Sequence, residues 1–134
     1  MEKITLKDIT RQYKNNGQHA EQVARFTLTG DIAKADNKAY NLGADCLNYQ
    51  IKSARATVCK GCDLKAYLDA DASTAYIYVM ADFKTAYIMS RNEYEKFVYA
   101  FGTVTRESTK NGGATKIRLN HETKKMQQWF AERE

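Results

Sequence analysis

Residues 74–80 read TAYIYVM and residues 85–89 read TAYIM, with only Ala81-Asp82-Phe83-Lys84 between them. Two runs this rich in aromatic and β-branched residues, and this close together, predict a β-hairpin. Neither run alternates apolar with polar positions. Both faces of each strand must therefore be covered, which places the pair at the centre of a sheet. Ser90-Arg91-Asn92-Glu93 follows at once and has the form of a capping box. It opens a helix carrying Tyr94, Phe97, Val98 and Phe101 at i, i+3, i+4 and i+7, ended by Gly102.

The remaining elements are weaker signals arranged around that centre. Thr5-Leu6-Lys7-Asp8 reads as a helix start, with Leu6, Ile9 and Tyr13 on one face and Asn15-Asn16-Gly17 at the end. A second helix is predicted from Gln18 to Leu28, closed by Thr29-Gly30. Residues 31–41 read as loop, with a short strand at Ala39-Tyr40, and Leu42 to Val58 as two strands or one irregular strand. Gly61 to Ala70 reads as helix through Leu64, Tyr67 and Leu68. After a polar loop comes a short strand, Thr115 to Leu119, and Asn120 then caps a last helix packed through Met126, Trp129 and Phe130. This order predicts an α/β or α+β fold, a central mixed sheet flanked by helices.

At 134 residues the chain is expected to be one domain, 1–134, large enough for a single core. No apolar run reaches the ~20 residues needed to cross a bilayer, and residues 1–10 show no signal-peptide core, so a cytoplasmic protein is expected. Three cysteines without an export signal argue for reduced thiols. A formal net charge of +5 leans toward polyanionic partners.

The stretch from Gly43 to Val58, GADCLNYQIKSARATV, carries the chemistry. Side chains two apart on a strand share a face, so Gln50 and Lys52 project together, away from Tyr49, Ile51 and Ser53. Asp45 lies five residues before Gln50. On an unbroken strand it would face the other way, roughly 16 Å distant at about 3.3 Å of rise per residue. Convergence requires a bend near Leu47-Asn48, where asparagine suits a turn or bulge. Given that bend, Asp45, the Gln50 amide and the Ile51 carbonyl offer three oxygens to a hard divalent cation, with Glu21 able to complete the set. Lys52 would orient the attacking hydroxide and offset charge building on a phosphorane.

A helix with glutamate (Gly17-Gln18-His19-Ala20-Glu21), then an aspartate, then Gln50-Ile51-Lys52-Ser53 on a strand resembles the restriction-endonuclease-like PD-(D/E)xK nuclease superfamily in its QxK variant. The element order that follows resembles that fold's αβββαβ core. Ala44 stands where the superfamily has proline, and Gln50 replaces the usual acid. The resemblance implies a Mg²⁺-dependent endonuclease, with Mn²⁺ as substitute, acting on DNA as a restriction, phage-type or junction-resolving enzyme. Its catalytic residues would be Asp45, Gln50, Lys52 and Glu21, and its metal ligands Asp45, Gln50, Ile51 and Glu21. A homodimer would be the natural way to cut two strands. Neither a membrane nor a small-molecule cofactor is expected.

Other segments offer competing sites. Lys110-Asn111-Gly112-Gly113, with Lys116 and Arg118 on the following strand, could grip nucleic-acid phosphates, or could be a solvated hairpin loop. Cys59-Lys60-Gly61-Cys62 is half of a zinc motif, with Cys46, His19 or His121 as further ligands, and two chance cysteines are the simpler reading. Asp31 and Asp36 are substitute carboxylates for Asp45. The rival function is a non-catalytic nucleic-acid-binding or interaction protein on the same scaffold. A third reading is a small α/β protein with a thiol or zinc role.

Overall fold

A computed structural model describes residues 1–30, 46–61, 63–71, 73, 75–109 and 112–134, without the side chains of 107–109 and 112–114. The hairpin expected from the two apolar runs is present as β4 (Ala75–Val79) and β5 (Thr85–Met89), paired antiparallel. Its turn is set by Phe83 in the left-handed region (φ 55°) and by the Asp82 carboxylate. That carboxylate accepts the Lys84 and Thr85 backbone N–H groups at 2.8 and 3.2 Å.

Two strands flank the hairpin, giving the order β1-β5-β4-β2. β1 (Glu2–Thr5) runs antiparallel to β5, and β2 (Tyr49–Lys52) runs parallel to β4. The sheet is thus mixed and its hairpin central. One face, carrying Ile51, Ile77, Val79 and Ala86, packs on Ala20, Val23 and Ala24 of α1 (Asn16–Thr29). Asn15 caps that helix at its start, and Gly30 ends it at φ 74°. The other face carries Tyr76, Tyr78, Tyr87 and Met89. It meets Tyr94, Phe97 and Val98 of α3 (Arg91–Phe101) and Met126 and Phe130 of α4 (Lys124–Ala131). The capping box at Ser90 and Glu93 is formed in both directions. α2 (Leu64–Ala70) adds Leu64 and Leu68 to this core. A mixed α/β fold with helices on both faces of the sheet is therefore observed.

A second sheet departs from expectation. β3 (Thr57–Lys60) leaves the first sheet and pairs with β7 (Gly112–Leu119), which pairs in turn with β6 (Gly102–Thr109), in the order β3-β7-β6. Residues 103–109 were expected to be loop. Their backbones instead extend the β7 ladder residue for residue, although Thr103, Val104 and Thr105 stay exposed; β-branched residues suit the extended backbone.

Two local expectations are also corrected. The predicted helix from Thr5 to Tyr13 is absent. β1 occupies part of it, the Leu6 N–H continues to the Lys84 carbonyl (2.8 Å), and Leu6 is buried beneath α1. So short a helix is marginal by itself, whereas the open edge of β5 satisfies the backbone and buries the apolar side chains. Asn120 does not cap the last helix; Thr123 does, accepting from the Met126 N–H. The Asn120 side chain accepts the Thr103 hydroxyl at 2.5 Å and so joins β6 to the end of β7. The proposed strand at Ala39-Tyr40 lies outside the described residues. Among those described, no helix is long and apolar enough to cross a membrane.

Phe130 is fully buried, with ring centroids of Tyr87, Phe97 and Tyr78 at 4.4, 5.0 and 5.4 Å. Phe130→Ala should cost about 3–5 kcal/mol, read as a lower urea midpoint at unchanged slope. Tyr99→Ala, on a ring 68% exposed, should change stability by no more than about 0.5 kcal/mol.

Candidate active site and nucleic-acid interface

The chain reverses direction where the sequence required it to bend. Cys46 and Tyr49 form an antiparallel bridge, with backbone hydrogen bonds of 3.2 and 2.8 Å closing a two-residue turn at Leu47-Asn48. Leu47 takes φ 52°, in the left-handed region. Cys46, the residue to which Asp45 is bonded, is fully buried against the α1 side of the sheet. Asp45 itself lies outside the described residues, as do Asp31 and Asp36.

From this turn β2 starts along the edge of β4. In the parallel register Gln50 lies beside Tyr76 and Lys52 beside Tyr78, so both project on the Tyr76/Tyr78 face. Ile51 projects oppositely and is buried under α1. The Lys52 ammonium donates to the Thr57 carbonyl at 3.0 Å, spanning the mouth of the loop that carries the chain into β3. That loop is tight. The Ala56 N–H bonds the Ser53 carbonyl at 3.1 Å, and Arg55 adopts φ 66°. The alternation therefore stops at Ser53 and does not run on to Val58.

Glu21 sits on α1, with its carboxylate 3.6 Å from the guanidinium of the buried Arg25 one turn on. Because α1 covers the Ile51 face, Glu21 and the Gln50–Lys52 pair belong to opposite faces of the sheet. β2 is an edge strand of this sheet among the described residues, so on its side the two faces meet around that edge. Two residues before Glu21, the buried His19 packs edge-on to Phe83 at 4.6 Å. Its Nδ1 has no hydrogen-bond partner among the described residues.

The second group of predicted residues is placed by the β6–β7 ladder. Lys116 pairs with Thr105 and Lys60, and Arg118 with Thr103, so these side chains share one face of the three-stranded sheet. Ile117 and Leu119 point the other way, into the core. Gly112 begins β7 opposite Thr109, while Lys110 and Asn111 lie outside the described residues. Arg118 donates through Nε to the Arg55 carbonyl at 2.7 Å, bringing two arginines together at the end of β2.

Arg55 was missed as a site residue, because an unbroken strand would have kept it apart from the basic strand. The available signal was its place three residues after Lys52 among small side chains. A cleft of about 330 Å³ lies between Asn15–Gly17 and the Ser53–Ala56 loop, and Arg118 also lines it. A second, of about 450 Å³, continues from Arg55 and Arg118 to Thr103, Thr105, His121 and Thr123. Among the described residues, no acidic side chain lines either cleft.

Cys46 and Cys59 are buried in separate core clusters, and Cys62 lies outside the described residues. Among the described residues, no three His, Cys, Asp or Glu side chains gather into a metal-binding group. No family model, curated protein or solved structure matches the chain.

Burial first, and then the Arg11 charge, hold the His19 pKa below its ordinary value of 6.5. The folded state thus favours neutral imidazole, and stability from this group is lost as pH falls from about 6.5 toward the folded pKa. In NMR titrations the His19 ring should titrate below 6.5, and Arg11→Ala should move the midpoint upward.

Proposed function

We propose that this chain is a Mg²⁺-dependent endonuclease of the restriction-endonuclease-like PD-(D/E)xK kind, hydrolysing DNA phosphodiester bonds. The observation that carries the reading is the two-residue turn at Leu47-Asn48, which reverses the chain between Cys46 and Tyr49, the sequence neighbours of Asp45 and Gln50. That reversal is what the QxK arrangement needs and what a continuous strand would deny it. The αβββαβ core belongs to this proposal. α1, the Cys46–Tyr49 turn, β2, and the return through β3 and α2 to the parallel neighbour β4 support it in outline.

The donor set suits a hard cation, since carboxylates, an amide oxygen and a backbone carbonyl are all oxygen ligands. Asp45, Gln50, the Ile51 carbonyl and, around the β2 edge, Glu21 would hold it. When bound, Mg²⁺ supplies Lewis-acid polarisation of the phosphate and a more acidic water.

The chain's own contribution centres on Lys52. An ammonium has three donors, and the Thr57 carbonyl takes one of them, fixing the group at the end of β2. A cation so held offsets negative charge as it builds on the phosphorus centre, and it does not have to reorganise at that moment. Gln50, beside Tyr76 on the same face, orients through its amide without adding charge. A homodimer would place two such sites on the two DNA strands.

Asp45→Ala and Lys52→Ala should each reduce Mg²⁺-dependent nicking of supercoiled plasmid by about a hundredfold or more, with far-UV circular dichroism unchanged. If the wild-type protein binds DNA but does not nick it with Mg²⁺ or Mn²⁺, and neither substitution alters binding, the non-catalytic reading replaces this one.

A further inference from the structure

We infer that the two clefts joined at Arg55 and Arg118 form one track for a DNA backbone, read through its phosphates and not its bases. The inference deepens the nuclease reading, because the track begins at Ser53, the residue after Lys52.

Three observations support it. The first is charge. Arg55 and Arg118 line both clefts, Lys116 and Lys60 continue the same sheet face, and among the described residues no carboxylate lines either cleft. Such a surface is complementary to the closely spaced phosphates of a nucleic-acid backbone.

The second is the chemistry of the walls. Beyond the arginines they offer hydroxyls from Ser53 and Thr105 and side-chain amides from Asn16 and Asn120, groups that donate to phosphate oxygens. Among the described residues no Phe, Tyr or Trp lines them, and His121 at the far end of the second cleft is the one ring there. The third is rigidity. Arg118 Nε is bonded to the Arg55 carbonyl, and the Arg55 N–H donates to the Asn120 carbonyl at 3.3 Å, so the loop and strand are fixed to each other. Backbone contacts of this kind set position and carry no direct sequence information.

The test is fluorescence anisotropy with two labelled DNA duplexes of unrelated sequence, with Ca²⁺ replacing Mg²⁺, across a salt series. The variant is Arg55→Gly/Arg118→Gln. Glycine suits the φ of 66° at position 55, and glutamine retains a donor for the carbonyl there. Wild type should bind both duplexes within a few-fold of each other. The variant, with an unchanged melting temperature, should bind about tenfold more weakly, and its log–log salt slope should flatten by about 2, one unit per lost phosphate contact.

Unchanged affinity and slope in the variant, or no salt-sensitive binding by wild type, would overturn the track. A hundredfold preference for one duplex would overturn backbone-only readout. Plasmid nicking separates the two proposals. Nicking that persists while the variant binds DNA normally removes the track and keeps the nuclease. Weakened variant binding from a protein that never nicks keeps the track and removes the nuclease.

Discussion

The structure depends on a hairpin that is apolar on both sides. Tyr76, Tyr78, Val79, Ala86 and Met89 are all buried, and alternate residues of β4 and β5 enter different core clusters. Water must be kept from both faces at once, so a helix is needed above and further elements below. α1 supplies the first cover, and α3, α4 and the second sheet supply the other. The lower core is unusually aromatic. Tyr76 stacks on Tyr94 at 4.1 Å, and Phe130 lies between Tyr87 and Phe97. Tyrosines in such a core need an outlet for their hydroxyls. Tyr78 and Tyr87 find one in Glu122 and Glu134 at the margin of the cluster. Burial and then Glu134 push the Tyr87 phenol up to about 12, so it stays a neutral donor throughout the physiological range.

The candidate site hangs from the side of that centre. β2 is only four residues long and owes its position to parallel pairing with β4 and to Ile51 beneath α1. Each end is turned sharply by a non-glycine residue in the left-handed region, Leu47 on one side and Arg55 on the other. Such a residue costs roughly 1–2 kcal/mol, which the surrounding packing must offset. The outcome is a short, fixed strand whose polar pair, Gln50 and Lys52, is held between two reversals. The second reversal also turns Arg55 toward the basic strand of the other sheet, so one loop links the proposed chemistry to the proposed binding surface.

Several elements were legible because their signals are local. The capping box at Ser90, the Gly30 stop and the apolar spacing of α3 and α4 depend on residues within a few positions of one another. The twofold alternation of Tyr49-Gln50-Ile51-Lys52 was legible for the same reason, and it assigned the shared face of Gln50 and Lys52. Leu6 and Ile9 carry a helical spacing too, yet that segment follows the open edge of a strand some 80 residues later, a partner no local window contains. β6 looked like loop because its polar threonines bury little; its strand character comes from pairing with β7.

The amino-acid sequence alone determined that a two-faced hairpin must sit at the centre, that a capped amphipathic helix follows it, and that one short strand carries a glutamine and a lysine together. Those properties reside in side-chain size, polarity and spacing, which do not depend on distant residues. Tertiary structure alone decided that β3 would leave the first sheet, that Glu21 would lie across that sheet from Lys52, and that Arg55 would meet Arg118. Each of these is a choice among backbone partners that were equally available to the unfolded chain, and it is settled only when the competing edges and faces are buried simultaneously.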